Sequence, residues 1–104
     1  MLDAKVAQLL NEQINKEFYS AYLYLDFANF YQSKGLDGFA NWYQIQAQEE
    51  RDHAMLFYQY LHNNNGTVTL EAIEKPDKTF TALCDPLKAG LEHEEYVTSL
   101  IHNL

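Results

Sequence analysis

Glu17, Glu50 and Glu94 each stand in the middle of an apolar stripe with helical spacing, and His53 follows Glu50 by three residues. A carboxylate is costly to bury unless a cation is held beside it. The Glu-x-x-His spacing places two ligands on one face of a helix, a single turn apart. Three carboxylates and an imidazole converging inside a helical bundle make a hard, oxygen-rich metal site, a donor set suited to iron. Taken singly, each glutamate has an ordinary explanation, because a seam glutamate often snorkels to solvent or pairs with a base. Their occurrence on three separate segments weighs against it. The nearest bases, Lys16 and Arg51, adjoin Glu17 and Glu50 in sequence and so point about 100° away from them.

Tyr24 lies one heptad beyond Glu17 on the same stripe, where it is either a supporting or redox group or an ordinary core filler. Glu49 flanks Glu50 and reads equally as a solvated helix residue or as a ligand of an outer metal site. His62, His93 and His102 fall off the stripes and are expected at the surface or at helix ends, with His93 kept as a candidate outer partner of the site. Cys84 is the one cysteine, which rules out an intrachain disulfide and a cysteine-rich zinc site within one chain, and it reads as an inert thiol.

Long helices must carry these residues. The first is expected to open at Asp3, an N-cap, and to run to the breakers Gly35 and Gly38. Its stripe is Leu10, Ile14, Glu17, Ala21, Tyr24, Ala28 and Tyr31, and from Phe18 to Tyr31 it is apolar on its other faces too, which predicts close association between chains. The second spans Gly38 to Asn64, stops at Gly66, and carries the stripe Phe39, Tyr43, Gln46, Glu50, His53, Phe57 and Tyr60. A tight turn makes these two helices antiparallel neighbours. Glu17 then lies about 25 Å before the turn and the Glu50 and His53 pair about 18 to 23 Å after it, level to within two turns.

Thr67 to Cys84 contains Pro76 and no periodicity, and is long enough to climb the bundle as a crossover. Asp85 and Pro86 start the third helix, as N-cap and first helical residue, and it should run to the chain end with the stripe Leu87, Leu91, Glu94, Val97 or Thr98, Ile101 and Leu104. Residues 1–104 are read as a single all-α domain, with 47% hydrophobic content sufficient for a core. Fifteen acidic against seven basic residues give a net charge of -8, which argues against nucleic acid and anionic membranes and for cations as partners. No cleavable leader or spanning segment is evident, so a cytoplasmic protein is expected.

The runs Asn11-Glu12-Gln13-Ile14-Asn15-Lys16-Glu17-Phe18-Tyr19-Ser20-Ala21-Tyr22, Ala47-Gln48-Glu49-Glu50-Arg51-Asp52-His53 and Glu92-His93-Glu94 resemble the non-haem bacterial ferritins, and the resemblance covers the whole chain. It implies a ferritin-like up-down four-helix bundle with a long crossover, assembled as a 24-subunit homo-oligomeric shell. It also implies a ferroxidase activity, oxidising Fe(II) with dioxygen or peroxide at a diiron centre and storing the ferric mineral. In that pattern Glu17, Glu50 and His53 match the first iron site, Glu50 also bridges, Glu94 matches the second, Tyr24 matches the tyrosine beside the centre, and Glu49 matches one ligand of a third, outlying iron site. Haem-binding relatives carry methionine where this chain has Arg51, so no haem is expected.

Because the sequence ends at Leu104, three of the four long helices are expected in it, with the second iron site incomplete. That implies a truncated subunit or one completed by another chain. Two other functions fit the same residues. A rubrerythrin-like diiron peroxidase would use a similar Glu-x-x-His helix, and a truncated helical assembly element would keep the outer surface without turnover.

Overall fold

The computed structural model describes residues 3–76, 80, 82 and 85–102, with the side chains of the last helix described as far as His93 and at Tyr96. Cys84 lies outside the described residues. Among those described there is no strand, and three helices follow one another: α1 (Ala4–Ser33), α2 (Asp37–Asn63) and α3 (Asp85–His102). None is long and apolar enough to cross a membrane.

α1 opens as expected, with the Asp3 carboxylate accepting from the Lys5 amide at 2.7 Å. It ends in a Schellman turn. Gly35 takes φ 74°, its amide donates to Gln32 O, and the Leu36 amide reaches back to Tyr31 O. α2 ends the same way, with one correction to the expectation that Gly66 is the stop. The left-handed residue is Asn65, at φ 61°, while Gly66 follows it and donates to Leu61 O at 2.7 Å. A Cβ on Gly66 would stand 2.9 Å from Leu61 Cδ2, so this glycine serves close approach rather than backbone handedness.

α1 and α2 pack antiparallel along their whole length, and the seam between them holds two apolar clusters. One is aliphatic, made of Leu10, Ile14, Ala54 and Leu61. The other is largely aromatic, built on Leu23, Tyr24, Phe27, Tyr31 and Tyr43, and it takes in Ala89 from α3. Tyr31 and Tyr43 stack with planes 5° apart. The α1 stripe is as expected except for Ala21, which is only partly buried. The α2 stripe is corrected. Ala40, Tyr43, Glu50, Ala54 and Leu61 are buried, while Phe39, Tyr60 and His53 of the expected set are exposed. A helix covered along one side buries a narrow strip, in which Ala40 and Ala54 are the small members among larger side chains.

Beyond Asn65 the chain climbs along α1. The Asn11 side chain donates to Thr67 O and accepts from the Thr69 amide, and Asn15 repeats the pattern one turn later with Thr69 O and the Glu71 amide. Farther along, Lys75 stands near Asp26, and Phe80 packs edge-on against Phe27 and Phe30. The expected crossover is therefore present, pinned to α1 by side-chain amides. It delivers α3 to the far end of the bundle, where α3 descends antiparallel to α1: Ala89 meets the Phe27 cluster, His93 meets Ser20, and Tyr96 meets Lys16.

Two further expectations change at α3. Asp85 is already helical, and its carboxylate turns back to accept from the Ala82 amide at 2.9 Å. The inward side is formed by Pro86, Ala89 and Gly90, whereas Leu87 and Leu91 of the expected stripe are exposed. Gly90 is what lets α3 in so close, since a Cβ there would meet Tyr43 Oη at 3.2 Å and Phe27 at 3.5 Å. Glu94 is helical within α3, and its side chain lies outside the described residues.

Candidate metal centre

Between the aliphatic and the aromatic cluster the α1–α2 seam carries two carboxylates. Glu17 is 2% exposed and Glu50 7%. One oxygen of Glu17, Oε1, accepts a hydrogen bond from Gln13 Nε2 at 2.9 Å. The other, Oε2, is fully buried and has no hydrogen-bond partner among the described residues. His53 Nδ1 lies 3.8 Å from that oxygen and 3.6 Å from Glu50 Oε2.

Those separations are too long for hydrogen bonds. They are close to what a shared cation demands, because ligand atoms about 2.1 Å from a common centre stand roughly 3.0–3.5 Å from one another. One ligand atom from each of Glu17, Glu50 and His53 falls within 4.8 Å of the others. A buried anionic oxygen without a donor is expensive to keep in an apolar seam. The donor set of two carboxylates and an imidazole fits a divalent first-row ion.

His53 departs from the dry interior expected of it: its side chain is 53% exposed and faces a hollow of about 470 Å³ lined by Tyr24, Glu49, Glu50 and Leu91, among others. This gives the centre one buried wall and one accessible wall. Glu49 is exposed on that hollow and Tyr24 is buried beneath it. A larger hollow, about 1030 Å³, lies between α1, the crossover and α3, and none of Glu17, Glu50 and His53 lines it.

Two polar residues escaped the sequence reading. Gln13 is 3% exposed, and Ser20, fully buried, donates to Lys16 O and meets His93 Nε2 at 2.5 Å. If the Ser20 hydrogen is spent on Lys16 O, the imidazole must be the donor in the second contact. His93 is thus no surface residue. It is half-buried against the rings of Tyr19 and Tyr24, where it fixes the height of α3 on α1 immediately before Glu94. The available signal was spacing: Gln13 precedes Glu17 by four residues and Ser20 follows it by three, on neighbouring faces of one helix.

The model of the ferritin-like domain matches residues 7–104. This chain belongs to the ferritin-like family. The bacterial non-heme ferritin of Campylobacter jejuni is 38% identical over 104 residues, covering 100% of this chain and 62% of that protein. That of Staphylococcus saprophyticus is 36% identical over the same 104 residues, again 62% of its own length. Among solved structures, the open-pore ferritin of the hyperthermophilic archaeon Archaeoglobus fulgidus superposes with a TM-score of 0.94 at 41% identity, over 98% of this chain and 62% of that one. A humanized archaeal ferritin reaches 0.95 at 41% identity, over 99% and 62%. The ferritin-like chain thus spans about 62% of the length of the relatives it matches.

Proposed function

We propose that this ferritin-like chain takes up Fe(II) at Glu17, Glu50 and His53 and promotes its oxidation, as part of an iron-storing assembly. The observation that carries this reading is the Glu17–Glu50–His53 trio, with one buried carboxylate oxygen held without a donor at ligand spacing from the other two. The names of the relatives, bacterial non-heme ferritins, point the same way.

Each residue has a distinct part. Glu17 offers Oε2 from the buried wall, His53 offers Nδ1 from the accessible wall, and Glu50, whose Oε2 lies 3.6 Å from that nitrogen, is assigned as the bridge to a second iron. Glu94 is assigned to that second iron, and Glu49 to an outlying third. Two Fe(II) and one dioxygen, with two protons from solvent, give two Fe(III) and one hydrogen peroxide. Carboxylate oxygens favour the harder ferric product, which drives the step. Tyr24, buried at the hollow that His53 and Glu50 also line, is assigned a supporting role beside the centre. Storage in a closed shell of copies, in the cytoplasm, completes the reading.

Aerobic Fe(II) oxidation, followed by ferric absorbance, tests it. The unaltered chain is expected to exceed buffer, and Glu50→Ala to fall to the buffer rate. Equal rates for the two proteins would sink the proposal.

A further inference from the structure

The run Asn11 to Glu17 places three side-chain amides on one short stretch of α1, and they face two ways. Asn11 and Asn15, a turn apart, bind the crossover backbone. Gln13, between them, is rotated about 200° from each and turns inward. It is 3% exposed, and its Nε2 donates to Glu17 Oε1 at 2.9 Å, leaving Oε2 as the oxygen that faces His53.

We infer that Gln13 is the positioning residue that makes Glu17 a one-oxygen ligand, by occupying Oε1 and presenting Oε2 alone to the bound metal. The inference rests on the metal-binding function proposed above. A carboxylate free at both oxygens can close on a cation with both of them. Here one oxygen is taken by a donor that shares its burial. The nature of that donor matters. A lysine or arginine at this position would orient the carboxylate and also cancel its charge, whereas an amide orients it and leaves the full negative charge for the cation. Asparagine, one methylene shorter, would not span the turn to Glu17 in the same way. Keeping Glu17 to one oxygen leaves coordination positions on the metal for Glu50 and for an incoming oxidant.

The test uses Zn(II), which has no redox chemistry, and reads the infrared carboxylate stretches. The Glu17 bands are isolated by subtracting the spectrum of Glu17→Gln. In the unaltered Zn(II)-loaded chain the antisymmetric and symmetric stretches should be widely separated, the mark of one-oxygen binding. Gln13→Met keeps an unbranched, helix-favouring side chain of similar length without the donor, and the separation should narrow as Glu17 closes on the metal with both oxygens. Leu10→Ala serves as control, being buried on the same helix about two turns before Glu17, and should lower stability while leaving the separation wide.

A wide separation retained in Gln13→Met overturns the inference. Should that variant not fold, the unaltered chain decides by NMR. The Gln13 side-chain amide protons should exchange slowly with and without Zn(II), and release of that amide on Zn(II) binding overturns the inference equally. Failure of the unaltered chain to take up Zn(II) at all would bring down the proposed function and this inference together, a result distinct from either of the others.

Discussion

Glu17 and His53 offer ligand atoms to the same point, yet Glu17 is 2% exposed and the His53 side chain 53%. The contrast follows from their helices. α1 is flanked by α2, by the crossover and by α3, so its polar side chains are held from several directions. α2 leans on α1 and meets α3 near Tyr43 and Gly90, and its far flank carries Trp42, Ile45, Leu56 and Tyr60 in the open. On the covered helix the Glu17 carboxylate is held by the Gln13 amide, so under the proposed metal binding it is preset. On the open helix the exposed His53 imidazole would be reached by an ion from the solvent side.

Four experiments would break or sharpen this contrast. The largest effect is expected in the covered seam. Leu61→Ala, at a site with no exposure, should cost about 2–5 kcal/mol in denaturant unfolding of this chain. Leu91→Ala on the open side, 64% exposed, should change stability by no more than about 0.5 kcal/mol. Comparable costs at the two positions would erase the distinction.

Next comes metal linkage. Zn(II) at a hundredfold excess over its dissociation constant should raise stability by about 2.7 kcal/mol. Glu50→Ala should remove that gain, and an unchanged melting shift in this variant would exclude Glu50 as a ligand. A smaller loss is expected on unpinning the crossover. Replacing both Asn11 and Asn15 by alanine removes their four hydrogen bonds to the crossover backbone, together with one from each to α1, and should cost about 1–2 kcal/mol. Amide exchange at Thr69 and Glu71 should accelerate in the same variant, and protection left intact there would show that the crossover is held by other contacts.

The smallest effect concerns Asp26, whose carboxyl is raised above its usual 3.8 by burial, with Lys75 pulling it the other way. The folded chain then binds the Asp26 proton more tightly than the unfolded chain. Stability falls as pH rises from below 3.8 through the folded value, and stays lower above it. Asp26→Asn should therefore raise the melting temperature slightly at pH 7 and leave it unchanged near pH 3. A melting temperature lowered at pH 7 would mean that the attraction to Lys75 outweighs the burial.

How much was legible beforehand depends on which kind of order the residues express. The helices, their level pairing of Glu17 with Glu50 and His53, and the climb of the crossover follow from periodicity and from rise per residue, both local. Whether Leu87 and Leu91 face inward was not legible, because a stripe of leucines does not say which neighbour covers it. The seam is set instead by Ala40, Ala54, Ala89 and Gly90, residues whose smallness matters only once two backbones meet. His93 was misplaced for a related reason: its partner Ser20 is 73 positions earlier, and neither residue type announces the other.

The asparagine clamp on the crossover has a built-in length. Four residues of helix advance about 6.0 Å, whereas two residues of extended chain advance about 6.6–6.8 Å. The two rulers agree for a pair of rungs and then drift apart, while each further step also swings some 40° around the helix barrel. The next position in that series is Tyr19, which has no amide to offer. Past Glu71 the climbing segment must find footholds of another kind, and it does so on charge at Asp26 and on rings at Phe27 and Phe30.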